Sequence, residues 1–252
     1  MDARIQAYLR VAASHKRETE RIGPFLATFT AHSANPFLNY AIPDDGATPS
    51  ADDVTALIRA YQRCERIPRL EYVARLAPAV EPALLAAGFA VEGRLPLMIC
   101  TPGAEQPMPT PPEVELLLPR SNAELLGTVA VQNEAYGDDP PDAAAASRLG
   151  AGIAGGQIAV LARVAATGEP VGAGVCSVPH DGLTEVAGIG VRAPFRRRGV
   201  AGAVTARLVR EAFAAGVTIA FLMAAAEEGA RIYTRAGFVR VGEILLISRP
   251  QP

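Results

Sequence analysis

The chain has 252 residues, 50% of them hydrophobic and 20% charged, which suffices for one or two packed domains and excludes a wholly disordered chain. Lys+Arg number 24 against 26 Asp+Glu, a net charge of −2, and this argues against a general nucleic-acid binder, which needs surplus cations to displace phosphate counterions. Residues 1–21 are charged and lack a signal-peptide apolar stretch, and no apolar run approaches the roughly 20 residues that span a bilayer, so a soluble, cytoplasmic protein with no membrane partner is expected.

Lys16 is the one lysine beside 23 arginines, so single arginines read as composition and only clustered ones as signal. Cys64, Cys100 and Cys176 are widely spaced and form no CxxC. They read as small buried apolar residues, not as zinc ligands or a disulfide framework.

In chain order, residues 51–65 form an amphipathic helix and 70–73 a strand. A helix then ends at Gly88, and an apolar strand runs from Phe89 to Cys100. Residues 101–112 read TPGAEQPMPTPP, with five prolines and no apolar periodicity. Proline fixes φ and removes a backbone donor, so this is neither a central strand nor a helix interior. It reads as a stiff linker between a domain over 1–100 and another over 113–252.

The second half alternates strand and helix. Strands are expected over 114–118, 157–164, 171–178, 183–191 and 217–223, and a strand or strand pair over 238–248. Helices are expected over 121–136, with the capping box Ser121…Glu124, over 200–215, stopped by Gly216, and over 228–236, stopped by Gly237. This is an α/β or α+β pattern with a largely covered sheet. Aligning Gly88-Phe89 with Gly237-Phe238 puts helix, glycine stop and apolar strand in register, and the helix–strand pair upstream repeats as well. The chain therefore reads as two copies of one fold.

The strand over 183–191 leads into a short loop, Arg196-Arg197-Arg198, and then into Gly199-Val200-Ala201-Gly202 at a helix start. Small residues admit a ligand close to the backbone. The free N–H groups and dipole of the helix start favour an anion such as a pyrophosphate. A nucleotide P-loop is excluded because no Gly-Lys pair exists. Gly150-Ala-Gly152-Ile-Ala-Gly155 matches GxGxxG, but a helix-like AAAASRL precedes it and a strand follows. That is the reverse of the dinucleotide-binding order, so it reads as a flexible loop.

Arg196-Arg197-Arg198-Gly199-Val200-Ala201 resembles the acetyl-CoA signature [Q/R]-x-x-G-x-[G/A] of the GNAT N-acetyltransferases. Ala230-Arg-Ile-Tyr233-Thr-Arg-Ala-Gly237-Phe238 resembles that family's A-x-x-x-Y-x-x-x-G-F ending. The resemblance covers 112–252 and takes in the first half only as a degenerate copy. It implies a mixed, splayed sheet and acetyl-CoA as co-substrate, with no metal. Pantetheine would pair with the edge of strand 183–191 through Ile189, Gly190 and Val191 (compare β-strand addition). The pyrophosphate would sit on the amides from Arg197 to Gly202, with Arg196, Arg197 and Arg198 beside it.

Acetyl transfer needs a deprotonated amine, a stabilised oxyanion and a protonated or stabilised thiolate. Glu185 is the base candidate: it lies six residues before Val191, on the same strand face if no bulge intervenes, and an unpaired carboxylate among apolar residues is expensive to bury. Tyr233 is the acid candidate by resemblance, with Leu84 at the matching place in the first half. The family often has Asn where this chain has Glu227, which puts one pantetheine contact in doubt. In this fold the acceptor is framed by residues 133–156, where Glu134, Asp138, Asp139 and Asp142 could attract a cationic amine. His180 sits in a Pro-His-Asp-Gly turn and reads as a surface residue, and His15 and His32 belong to no constellation. The expected activity is transfer from acetyl-CoA to an amine of a small molecule or peptide. The alternative is a catalytically silent acyl-CoA-binding module with a partner-binding first half. O-acylation is also open.

Overall fold

The structure is a computed structural model that describes residues 1–15, 17–31, 33–225 and 227–250, without the side chains of Glu227 and Glu228. His32 and the Glu227 side chain therefore lie outside the described residues. The chain divides into two compact units, Met1–Leu97 with Gly242–Pro252, and Met98–Val241.

The first unit contains α1 (Asp2–Ser14), β1 (Glu18–Ile22), β2 (Phe25–Phe29), β3 (Ala41–Pro43), α2 (Ala51–Arg63), β4 (Arg69–Val73), α3 (Val80–Ala86) and most of β5 (Ala90–Cys100). The second contains β6 (Val114–Leu117), α4 (Asn122–Tyr136), α5 (Ala145–Ala154), β7 (Ile158–Val164), β8 (Pro170–Cys176), β9 (Leu183–Val191), α6 (Val200–Ala214), β10 (Ile219–Met223) and α7 (Glu227–Arg235). The last element, β11 (Val239–Ser248), is one strand, and from Gly242 onward it belongs to the first unit.

Strand order in the first unit is β1-β2-β3-β4-β11-β5. β1, β2 and β3 are antiparallel neighbours, and β3 is parallel to β4. β11 runs antiparallel to β4, from Ile244 opposite Val73 to Ser248 opposite Arg69. α1 buries Ile5, Tyr8 and Leu9. Its Gln6 is also buried: the amide nitrogen donates to the Pro43 carbonyl (3.3 Å), and the oxygen accepts from the Val73 amide (2.8 Å). One polar side chain thus satisfies two strands that an apolar residue would leave wanting.

The second unit has the order β10-β9-β8-β7-β6, with β10 parallel to β9 and the rest antiparallel. β7-β8-β9-β10 thus repeats the order and directions of β1-β2-β3-β4. α6 buries Val200, Val204, Leu208 and Ala212 in a core shared with Val160, Val171, Val186 and Leu222. Each fully buried Val or Leu of this kind contributes about 1.5–3 kcal/mol. This is the mixed, splayed α/β sheet expected from the sequence, in a tandem arrangement.

Two expectations need correction. The GxGxxG stretch is not a flexible loop, since Gly150 and Gly152 lie within α5. Cys64 is exposed, whereas Cys100 and Cys176 are buried. Residues 101–112 form no helix or strand and lie inside the second unit, where the Gln106 amide donates to the Ala236 carbonyl at 3.0 Å. Among the described residues no helix is long and apolar enough to cross a membrane.

Candidate active site

The site grows from the way β9 ends. Its pairing with β10 runs through Leu183↔Ile219, Thr184↔Ala220 and Glu185↔Phe221 and stops there, while pairing with β8 continues to Val191. Beyond Glu185 one edge of β9 is released by its parallel neighbour. β9 also holds an extra residue opposite the Ala173–Val175 step of β8, with Gly188 at φ +61. That is a β-bulge, and a left-handed glycine is its usual pivot. The bulge overturns one premise of the sequence reading: Glu185 and Val191, six residues apart, fall on opposite faces of β9. Ile189 and Val191 pack against the core that contains α6. The Gln132 side chain of α4 donates to the Gly188 carbonyl on the other face, at 3.0 Å.

After β9 a single 3-10 turn, Ala193–Phe195, leads to Gly199, which caps α6 in a left-handed conformation (φ +92) with no side-chain cap. The first intrahelical bond runs from the Ala203 amide to the Gly199 carbonyl. The amides of Val200, Ala201 and Gly202 precede that ladder and carry the positive end of the helix dipole. They face a cavity of about 590 Å³ lined by Val191, Arg196, Arg197, Gly199–Gly202, Ile232 and Arg235. Of the coenzyme residues named from the sequence, Val191, Arg196, Arg197, Gly199, Val200, Ala201 and Gly202 meet here. Ile189 and Gly190 stay on β9, just upstream. Arg198 turns elsewhere, stacking on Phe195 at 5.4 Å and pairing with Glu113 at 3.6 Å.

Met108 and Pro109 also line this cavity. Sequence reasoning missed them because proline-rich composition reads as a spacer, whatever it packs against. Arg196 holds the turn by donating to the Val191 carbonyl at 3.0 Å.

Tyr233 projects from α7, half-buried, with its ring edge-on to Phe238 at 6.1 Å. Burial, and then the neighbouring Tyr136, push its phenol up to about 12. Tyr136, at the end of α4, is an exposed residue, and loss of water around its phenol and then the Glu185 carboxylate raise it. Tyr136 is thus within electrostatic reach of both Glu185 and Tyr233, although three different elements carry them. Tyr136 went unnoticed in the sequence: it reads there only as the last residue of a helix.

The acidic region expected to frame the acceptor is partly neutralised. Glu134 pairs with Arg192 at 3.0 Å and Asp142 with Arg148 at 2.9 Å, which leaves Asp138 and Asp139 as the acidic candidates. His180 is exposed, and its backbone exchanges two 2.9 Å bonds with Leu183 across an Asp181-Gly182 turn. Among the described residues no group of three or more His, Cys, Asp or Glu is placed to hold a metal ion.

Comparison with known proteins bears on this geometry. Residues 126–238 match the family model "Acetyltransferase (GNAT) family". A solved GCN5-related N-acetyltransferase from Kribbella flavida is similar over 100% of this chain and 96% of its own, with 25% identity and a TM-score of 0.83. One from Sphaerobacter thermophilus is similar over 91% of this chain and 78% of its own, with 18% identity and a TM-score of 0.67. A tandem GNAT protein from the clavulanic acid biosynthesis pathway shares the fold over 90% of this chain and 79% of its own, at 11% identity and a TM-score of 0.63. Among curated proteins no sequence matches. The released edge of β9, the uncapped start of α6 and Tyr233 all lie in the span from residue 126 to residue 238 that matches the Acetyltransferase (GNAT) family model, in a chain with the tandem GNAT fold.

Proposed function

We propose that this chain is an N-acetyltransferase, which moves an acetyl group from acetyl-CoA to an amine of a small molecule or peptide by direct attack in a ternary complex. The observation that carries the reading is the cavity over the uncapped amides of α6, placed where β9 parts from β10. A diphosphate fits those amides: they donate, the dipole adds positive potential, and Gly199 leaves open space, with Pro109 O 3.9 Å from where a Cβ would stand. Ile189, Gly190 and Val191 lie on the strand whose free edge suits an extended amide-bearing arm.

In this reading Glu185, directly or through a water, takes a proton from the acceptor ammonium. The amine then attacks the thioester carbon, so that an N–C bond forms and the C–S bond breaks. Tyr233 donates its phenolic proton to the departing thiolate, and the second proton that the nitrogen sheds on becoming an amide restores the phenol. Its raised pKa keeps that proton in place at neutral pH. The products are an amide and CoA thiol. Asp138 and Asp139 bias the acceptor side toward cations.

The test is to incubate the full chain with acetyl-CoA and a panel of amines and follow released thiol. Amine-dependent release supports the reading. Tight CoA binding without release across the panel replaces it with an acyl-CoA-binding module.

A further inference from the structure

The bulge of β9 is held from both faces of the sheet. On the α6 face the Ile189 side chain lies across Gly174 of β8, where a Cβ would stand 2.4 Å from Ile189 Cδ1. On the other face α4 is pressed against two glycines. A Cβ on Gly188 would stand 2.3 Å from Gln132 Nε2, and one on Gly190 would stand 2.8 Å from Ala135 Cβ and 3.3 Å from the Val131 carbonyl oxygen. Gly188 has no counterpart in the pairing of β9 with β8 or with β10. A bulge leaves such a residue outside the ladder, and the Gln132 side chain gives its carbonyl a donor at 3.0 Å.

In the first unit a glutamine on the helix before the equivalent strands acts differently. Gln6 of α1 donates to Pro43, the last residue of β3, and accepts from Val73, the last residue of β4, so one side chain ties the ends of those strands together. Gln132 instead bonds to β9 beyond Glu185, on a stretch that β10 no longer accompanies. Tyr136 follows Gln132 by four residues and so shares its helix face, and its phenol is within electrostatic reach of Glu185. The same face of α4 thus touches the bulge at one turn and reaches the candidate base at the next.

We propose that Gln132 is a positioning residue: by holding the Gly188 carbonyl it fixes the bulge, and with it the direction of those amides from Gly188 to Val191 that face away from β8. The proposal rests on the acetyl-transfer reading above. Backbone donors stabilise charge growing on a thioester oxygen only when they are aimed before the reaction starts. A bulge without its latch would have to be brought back into line at each turnover. Gln132 itself stays off the reacting atoms, and in that reading the diphosphate is held at α6. Its loss should therefore lower the rate far more than coenzyme binding.

The experiment compares the full-length wild type with Gln132→Met, which keeps the length and loses the donor, and with Gln132→Lys, which restores a donor on a flexible stem. Turnover with acetyl-CoA and an amine gives kcat and KM, calorimetry gives the Kd of CoA, and deuterium uptake is followed in the ligand-free protein. Gln132→Met is expected to lower kcat about tenfold to thirtyfold and to leave KM and Kd within about threefold of wild type, because misaimed donors cost rate before they cost binding. Uptake over residues 187–191 should become about tenfold faster in that variant, while uptake over β7 stays at the wild-type rate. Gln132→Lys should recover roughly a third or more of the wild-type kcat. Wild-type kcat in a folded Gln132→Met protein overturns the proposal. So does a Gln132→Lys protein no better than Gln132→Met. A parallel loss of kcat and CoA affinity, with faster uptake in β7 as well, also overturns it and makes Gln132 a stability residue. Absence of turnover by wild type overturns the acetyl-transfer reading, and the uptake measurement then decides the latch by itself: acceleration confined to residues 187–191 supports it, and unchanged uptake overturns it.

Discussion

Two helices in the chain follow equivalent strands and begin in opposite ways. α2, in the first unit, starts with a capping box: the Asp53 amide donates to the Ser50 hydroxyl (3.1 Å), and the Ser50 amide and hydroxyl donate to the Asp53 carboxylate (2.9 and 2.7 Å). α6, in the second unit, starts with a left-handed glycine and no cap. The first has placed its own carboxylate where an anion would sit. The second leaves the seat for a ligand. The following helices differ in the same sense. α3 and α7 end alike: the amides of Gly88 and Gly237 donate to Leu85 and Thr234, and those of Phe89 and Phe238 to Leu84 and Tyr233. The carbonyl acceptor of that last bond belongs to a buried leucine in one unit and to a half-buried tyrosine in the other. The stop geometry is therefore scaffold, and what differs between the two units is the side chain hung on it.

The comparison can be broken at α6. Gly199→Glu gives α6 a carboxylate of its own, as α2 has. The expected result is complete loss of CoA heat in calorimetry at concentrations that saturate the wild type. Because left-handed backbone costs a non-glycine residue about 1–2 kcal/mol, Gly199→Asn, which tolerates that conformation better, serves as the control for folding. Normal CoA binding by a folded Gly199→Glu protein would place the diphosphate elsewhere.

Tyr233→Leu makes α7 like α3. Turnover should fall roughly a hundredfold, the usual worth of a positioned acid, while coenzyme affinity stays close to wild type. With the phenol pushed up to about 12, the neutral, donating form persists through pH 10. The wild-type profile should therefore show no falling limb from this group below that pH, and Tyr233→Phe should lower the profile without reshaping it. Unchanged turnover removes Tyr233 from the acid role.

A smaller effect separates the two stop glycines. Both are left-handed, at φ +83 and +100. A methyl group at Gly88 would have the Arg249 side chain 3.7 Å away, whereas one at Gly237 would stand 2.2 Å from the Ala104 carbonyl oxygen. Gly88→Ala should cost about 1 kcal/mol, from the backbone alone, and Gly237→Ala distinctly more, read as thermal midpoints. Equal losses would mean that the proline-rich segment gives way freely.

The smallest effect falls on the capping box. Ser50→Ala should cost about 1 kcal/mol. Hydrogen bonds from the Ser50 hydroxyl and then its amide hold the Asp53 carboxyl below the usual carboxylate range. A lowered pKa stabilises the fold above the unfolded-state value and loses that contribution as pH falls through the folded-state value. Asp53→Asn should thus lower the midpoint at pH 7 and converge with wild type near pH 2. A deficit that persists in acid would assign its cause to shape, not charge.

Much of the second unit was legible. Ser121 and Glu124 announce α4 by complementary hydrogen bonding, and the structure holds that box. β9 has the bounds its apolar run suggests. The uncapped start of α6 was visible as Gly199 behind three arginines. α5 was not, because its start has no side-chain cap and two glycines weaken its helical propensity. Packing, not local preference, settles it. β1 and β2 are five-residue strands, too short for periodicity to stand out. The bulge at Gly188 was invisible because an apolar run keeps no record of parity. For that reason the sequence places Glu185 and Val191 on one face only on the condition that no bulge intervenes, and that condition is not met. The electrostatic link of Tyr136 to Glu185 and to Tyr233 joins residues far apart in the chain, which no local pattern encodes.

The three-residue pairing between β9 and β10 has a consequence for the ligand-free protein. Amides between Val186 and Val191 that face away from β8 have no partner strand on that side, so solvent must satisfy them. Such hydrogens exchange rapidly with deuterium. An extended molecule that seats itself along the strand takes over the role of the water, and its arrival should be recorded as new protection at Ile189 to Val191, before any bond is made or broken.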